Sequence, residues 1–129
     1  MMPGPSERKH PNPWRKVRHV ANGLSHAVRN DASVATITAV STVVVVASVV
    51  FARWVDLMLV VVVTAQALAA ELINTAIERL CDFVERRHSP QIGAIKDIAA
   101  AAVGIAVVVW AATVVYEYVN FIRLIVRGT

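Results

Sequence analysis

Acidic and amide side chains recur on one face of a predicted helix that continues directly from an apolar run. Glu71, Asn74, Glu78, Asp82 and Glu85 stand at positions i, i+3, i+7, i+11 and i+14, and this spacing puts all five on one face of a helix. An ionised carboxylate in hydrocarbon is costly unless it contacts a cation, a proton or a partner, and Glu71 lies closest to the apolar run. The stripe is therefore the predicted functional site.

Phosphoryl transfer is one reaction that these side chains could support. It needs a divalent ion held by carboxylates, a cation near the phosphates and a base at the acceptor hydroxyl. Glu78 with Asp31 could hold the ion, Lys96 could meet the phosphate, and Glu71 could take the proton. The sequence has no GxxxxGK[ST] loop, and its five glycines are too dispersed to form a phosphate cradle.

Two other functions use the same residues and stay open at this point. A small proton-coupled transporter would also place a buried glutamate such as Glu71 in the membrane. A non-catalytic oligomeric scaffold could use the charges as salt bridges between helices, and it could use the small residues at 99–102 and 104 for close helix packing. Spacing alone does not choose among the three functions.

The chain must position this stripe in a membrane, because it is too apolar for a soluble domain. Hydrophobic residues make up 57% of its 129 residues. Apolar stretches predict three spans, at about 32–52, 55–77 and 97–119, each near the ~20 residues that a helix needs to cross hydrocarbon. Valine-rich runs would suit strands, but an open sheet cannot satisfy its backbone in lipid. The predicted fold class is therefore an all-α membrane protein, with a tail at residues 1–12 and one membrane domain at 13–129.

A separate amphipathic helix is predicted before the first span. Asn12 is placed to cap it, and Pro13 would occupy its first turn. Apolar residues such as Trp14 line one face, and basic residues, among them Arg15 and Arg18, line the other. We expect this helix to lie at the membrane interface, where its basic face would attract anionic head groups or a polyphosphate.

The basic residues predict which way the spans run. Ten of the 13 lysines and arginines flank the first span on its N-terminal side or lie between the second and third spans. Since cytoplasmic flanks carry the excess of such residues, the N-terminus should be inside, and the tight turn at residues 53–56 and the C-terminus should be outside. Topology thus accounts for the net charge of +4, and no nucleic-acid partner is expected.

The site residues also resemble a known family. The string from Glu71 to Glu78, then Asp82, followed fourteen residues later by Lys96 and Asp97 and a third span, is similar to the prokaryotic diacylglycerol kinases, which include the undecaprenol kinases. The resemblance covers nearly the whole chain, from Asn22-Gly23-Leu24 and Asn30-Asp31 to the last span.

The resemblance implies a homotrimeric kinase of the bacterial cytoplasmic membrane with sites shared between subunits. It would transfer the γ-phosphate of ATP, with Mg²⁺, to a lipid hydroxyl, either of diacylglycerol or of undecaprenol. Glu71 would be the general base, Glu78 and Asp31 the metal ligands, and Asn74 would orient the lipid side of the site. Asp82 and Lys96 would contact the nucleotide, together with Arg15 and Arg18 of the basic helix face, and Asp97 would support Lys96. The family generally has glutamate where this chain has Asp31, so Asp31→Glu is expected to be tolerated.

Overall fold

The computed structural model describes residues 13–51, 53–84 and 89–127, and these residues form four helices. The helices are α1 (Pro13–Asn30), α2 (Ala32–Val50), α3 (Trp54–Val84) and α4 (Pro90–Arg127). Within the described ranges there is no strand, so the predicted all-α fold is confirmed. The predictions about the tail at 1–12, the Asn12 cap and Glu85 lie outside the described residues.

Three of the helices are long and apolar enough to cross a membrane, as the sequence predicts. They have 19, 31 and 38 residues, and α3 and α4 extend well past the predicted spans at 55–77 and 97–119. At a rise of about 1.5 Å per residue, α4 is about 57 Å long, compared with about 30 Å of hydrocarbon. Both longer helices therefore carry polar turns beyond the hydrocarbon layer.

The turn between α2 and α3 lies earlier than the sequence indicated. Residues 53–56 were expected to form it, but α3 already begins at Trp54 and includes Asp56 in its first turn. An acidic side chain near a helix N-terminus is stabilised by the helix dipole, so Asp56 favours helix at this position. Phe51 and Arg53 are the described residues between the two helices.

Valine-rich runs are helical in α2, α3 and α4, because a helix satisfies each backbone group within its own segment. Hydroxyl groups in α2 are satisfied in the same way. Thr38, Thr42 and Ser48 each donate to the carbonyl four residues earlier, at 2.7, 2.7 and 2.9 Å. Such bonds let polar side chains lie in an apolar helix without a partner on another helix.

Helix α3 lies at the centre of the bundle and packs against both α2 and α4, which contact each other much less. The core joins the three helices through Ile37, Val63, Ala67 and Trp110. The Ser41 hydroxyl of α2 lies beside it and accepts hydrogen bonds from Trp110 Nε1 at 2.7 Å and from Thr64 Oγ1 at 2.8 Å. One α2 hydroxyl thus ties both neighbouring helices together.

The alternating helix directions bring the chemistry-bearing residues to one end of the bundle. At this end, Thr75 of α3 contacts Asp31 before α2, and Asp82 of α3 contacts Lys96 of α4. We call it the site end. At the opposite end, which we call the turn end, the ring of Phe51 lies 5.4 Å from the ring of Phe121 in α4. The site end therefore holds Asp31, Asp82 and Lys96, which are candidate site residues from three different parts of the sequence.

Helix α1 packs against the start of α2 at the site end. Arg79 of α3 donates from Nη2 to Nε2 of His26 at 3.3 Å, which connects α1 to the far end of α3. Trp14, Val17 and Val20 on the predicted apolar face are exposed. The place of this exposed face at the membrane interface stays a prediction.

Candidate functional site

Asp31 connects the start of α2 to α3 through three hydrogen bonds. Its backbone is extended (φ −124°, ψ 114°) and it is the N-cap of α2, a position at which aspartate is among the preferred residues. One carboxylate oxygen accepts from the backbone N–H groups of Ser33 at 2.9 Å and Val34 at 3.4 Å, and the other accepts from Thr75 Oγ1 at 3.3 Å. The carboxylate is thereby held beside the polar stripe of α3.

Glu71 is buried, with only 6% of its surface exposed, and it lines a cavity of about 280 Å³ between α2, α3 and α4. Ser33 lines the same cavity, and Asp31 and Glu78 are close enough to Glu71 to interact with it electrostatically. Apart from Glu71, the polar residues of the lining are Ser33, Thr36 and the indole of Trp110. We call this space the Glu71 cavity.

Sequence reasoning did not identify Ser33 and Thr36 as site residues. Both stand in the first turns of an otherwise apolar span, three positions apart and hence on one face of α2. This three-residue spacing was the sequence signal that could have identified Ser33 and Thr36 as site residues. Serine and threonine also hydrogen-bond to their own helix backbone, as Thr38 and Thr42 do here, so the spacing alone could not distinguish the two roles.

Asn74 and Glu78 form a hydrogen-bonded pair on the same face of α3. Asn74 Nδ2 donates to Glu78 Oε1 at 3.0 Å, as residues four apart on a helix can. Asn74 Oδ1 is buried and accepts no hydrogen bond from the described residues. The pair therefore presents an unused amide oxygen beside a carboxylate.

Lys96 of α4 donates from Nζ to Asp82 Oδ1 of α3 at 2.6 Å. The two side chains are 36% and 69% exposed, respectively, so the pair lies in reach of a soluble nucleotide. The family resemblance implies that Asp97 supports Lys96. In the structure, Lys96 instead contacts Asp82, and Asp97 is exposed. Consecutive helical residues do not face each other, which separates the carboxylate of Asp97 from Lys96.

Arg15 and Arg18 lie in the first half of α1 and are exposed. They precede Asp31 by sixteen and thirteen positions, which corresponds to about 24 and 20 Å along a helix. Both arginines therefore lie well away from Asp31 along α1. Their predicted nucleotide contact stays a prediction, as do the roles of Asp82, Lys96 and Asp97 toward the nucleotide.

The donor set at the site end is of the kind that could hold a magnesium ion. Asp31 and Glu78 offer carboxylate oxygens, which are among the ligands that Mg²⁺ prefers. Among the described residues, no three His, Cys, Asp or Glu side chains are grouped so that they could hold a metal by themselves. Two carboxylates suffice when substrate phosphates and water complete the octahedron, as is common for Mg²⁺.

Comparison with protein families gives one match. The sequence model of prokaryotic diacylglycerol kinase matches residues 18–118, which is most of the chain and contains every predicted site residue except Arg15. Comparison with curated proteins and with solved structures gives no match.

Proposed function

Since this chain belongs to the prokaryotic diacylglycerol kinase family, we propose that it transfers the γ-phosphate of ATP to a lipid hydroxyl, with Glu71 as the general base. The family and the three apolar helices make it a multi-pass membrane protein of the lipid kinase class. The general base, the metal ion, the residues that contact the nucleotide and the acceptor lipid are proposals.

The observation that carries the proposal is the position of Glu71. This residue is buried beside a small cavity whose other polar groups are hydroxyls and an indole N–H. It stands eighteen positions after Arg53 at the turn end, which is about 27 Å along α3 and close to the ~30 Å thickness of the hydrocarbon core. A carboxylate at that depth can meet a lipid hydroxyl at the interface while the phosphate donor arrives from water.

In the proposed reaction, the acceptor hydroxyl enters the Glu71 cavity and donates its proton to Glu71 as its oxygen attacks the γ-phosphorus of ATP. The bond between the γ-phosphorus and the β–γ bridging oxygen breaks, and ADP leaves with that oxygen. Ser33 would orient the carboxylate of Glu71, because its hydroxyl-bearing side chain lines the same cavity. Asn74 would orient the lipid side of the site through its free amide oxygen. Proton removal by a positioned carboxylate typically contributes ~10²- to 10⁴-fold to a rate.

The nucleotide would bind on the water side of Glu71. Asp31 and Glu78 would hold Mg²⁺, which when bound neutralises charge on the transferring phosphates. Lys96 would contact a phosphate, and its bond to Asp82 keeps the ammonium group at the site end until ATP arrives. Arg15 and Arg18 on the exposed face of α1 would contact the nucleotide of their own chain or that of a neighbouring copy in a homotrimer with shared sites.

The acceptor would be diacylglycerol, giving phosphatidic acid, or undecaprenol, giving undecaprenyl phosphate. Both lipids present a primary hydroxyl, and apolar contacts discriminate poorly between chains that differ mainly in length. The basic flanks of the spans favour a bacterial cytoplasmic membrane with the N-terminus and the site end inside.

Transfer of labelled phosphate from ATP to each lipid, measured side by side in mixed micelles, tests the proposal. We expect magnesium-dependent phosphorylation of one or both lipids by the wild type. Glu71→Gln keeps the size and hydrogen bonding of the side chain but removes the proton acceptor, so turnover should fall by ~10²-fold or more while ATP binding survives.

Glu117→Gln is the matched control, because Glu117 is also a buried glutamate but lies in α4 at the turn end. Its turnover should stay near that of the wild type in preparations of equal oligomeric state. Near-normal turnover of Glu71→Gln would remove the base role from Glu71. Absence of lipid-stimulated ATP consumption in the wild type would instead favour the proton-coupled transporter, which also accounts for a buried Glu71.

A further inference from the structure

A second polar cleft lies at the turn end, far from every predicted site residue. It has a volume of about 550 Å³ and is formed by Phe51 and Arg53 of the turn together with one face of α4. The polar residues that α4 contributes are Tyr116, Asn120, Arg123 and Arg127. We call this space the arginine cleft.

Arg53 lines this cleft and is held in place by three contacts. Its Nε contacts the carboxylate of Asp56, its Nη2 lies 3.8 Å from a carboxylate oxygen of Glu117, and its guanidinium stacks 5.3 Å from the centre of the Phe121 ring. Glu117 is fully buried. Even so, Arg53 Nη1 is buried and has no hydrogen-bond partner among the described residues. One guanidinium donor is therefore fixed in position and unused.

Arg123 and Arg127 give the cleft its excess of positive charge. They stand four positions apart on α4 and so share a face, and both are exposed. No carboxylate within the described ranges forms an ion pair with either of them. Asp56 and Glu117 offset the charge of Arg53, which leaves the other two arginines to attract an anion.

Along the face of α4 that carries the arginines, apolar side chains are followed by a tyrosine and then by polar and basic side chains. A phospholipid has the same order, from acyl chains to head group. Ile105, Val109 and Ala112 form an exposed apolar stripe, Tyr116 follows, and Asn120, Arg123 and Arg127 complete the same face. Tyrosine is enriched at the boundary between hydrocarbon and head groups. The apolar stripe therefore matches acyl chains, and the arginines match a charged head group.

We propose that the arginine cleft binds the phosphate of an anionic glycerophospholipid in the leaflet opposite to the Glu71 cavity. Guanidinium groups suit this ligand because their planar donor fork matches phosphate oxygens. The acyl chains would lie along Ile105, Val109 and Ala112. This site does not depend on the kinase reaction, since it shares no residue with the site end.

Lipid retention on purified protein tests the proposal. The wild type would be incubated in micelles containing equal amounts of phosphatidylglycerol and phosphatidylcholine and then washed, and the bound lipid would be measured by native mass spectrometry. We expect preferential retention of phosphatidylglycerol, and a loss of about tenfold in that preference in the double variant Arg123→Gln/Arg127→Gln. The double variant Arg123→Lys/Arg127→Lys should keep most of it, because the positive charges remain.

Arg29→Gln is the matched control, because it removes an exposed arginine from the site end and should retain phosphatidylglycerol as the wild type does. Circular dichroism and light scattering would establish that the variants keep their helix content and oligomeric state. Equal retention of the two lipids by the wild type, or unchanged retention by the double glutamine variant, would overturn the proposal. Displacement of phosphatidylglycerol by millimolar inorganic phosphate would overturn the lipid as the source of the phosphate.

Discussion

Replacing Asp31 separates its structural contribution from its proposed contribution to magnesium binding. The carboxylate accepts two backbone N–H groups at the start of α2 and the hydroxyl of Thr75. Asp31→Ala removes the N-cap, which typically costs about 0.5–2 kcal/mol, whereas asparagine caps about as well as aspartate. We therefore expect Asp31→Ala to lower the free energy of unfolding by about 1–2 kcal/mol, and Asp31→Asn to change it by only a few tenths.

The activity of the same variants should follow the charge rather than the cap. Asp31→Asn removes the anionic ligand, so the magnesium concentration at half-maximal activity should rise by roughly tenfold. Asp31→Glu keeps the charge, and the family resemblance alone indicates that it is tolerated. The cap changes that expectation, because glutamate is not a favoured N-cap. We now expect a stability loss of about 1 kcal/mol with the magnesium requirement preserved.

The assay is denaturant unfolding followed by circular dichroism in detergent, together with magnesium titration of lipid phosphorylation. Thr42→Val serves as a control, since the Thr42 hydroxyl bonds only to its own helix. If Asp31→Asn unfolds as readily as Asp31→Ala, the side-chain oxygen does not act as a cap. If Asp31→Asn keeps the wild-type magnesium requirement, Asp31 is not a ligand of the ion.

Three further predictions concern the pair at the site end, the bundle core and the topology. Lys96→Gln should raise the KM for ATP by about tenfold, because the cation that contacts a phosphate is lost. An unaltered KM in this variant would show that the phosphate binds elsewhere. Asp82→Asn should leave the thermal unfolding temperature nearly unchanged, because the pair is exposed. Ser41→Ala should lower the free energy of unfolding by about 1 kcal/mol, because two donors from neighbouring helices lose their acceptor in the membrane. An unchanged free energy of unfolding would show that these two hydrogen bonds contribute nothing to stability. A cysteine at Asp56 should react with an impermeant thiol reagent from outside intact cells and one at Ser89 only after lysis; the reverse pattern would invert the topology.

The apolar runs were enough to predict the number and type of the membrane helices. Hydrocarbon offers no partner for backbone groups, so long valine-rich segments must be helical despite their β-propensity. This requirement for backbone hydrogen bonds within hydrocarbon does not determine where the helices end, because the polar turns of α3 and α4 extend into water. The start of α3 at Trp54, with Asp56 in its first turn, depends on local charge rather than on apolar length.

The polar stripe on α3 was also visible in the sequence, because Glu71, Asn74, Glu78 and Asp82 are related by helical periodicity alone. Their convergence with Lys96 and Asp31 follows from alternating span directions, which the apolar runs imply. Local periodicity and membrane topology therefore placed these candidate site residues at one end of the bundle.

The partners of those residues are set by helix packing, which sequence periodicity does not specify. Only the rotation and depth of α2 and α4 against α3 bring Ser33 to Glu71, Thr75 to Asp31, and Asp82 rather than the neighbouring Asp97 to Lys96. The arginine cleft depends in the same way on the turn bringing Arg53 to Glu117, residues 64 positions apart. Contacts between helices depend on how side chains of different helices fit together, and only the tertiary structure decides that fit.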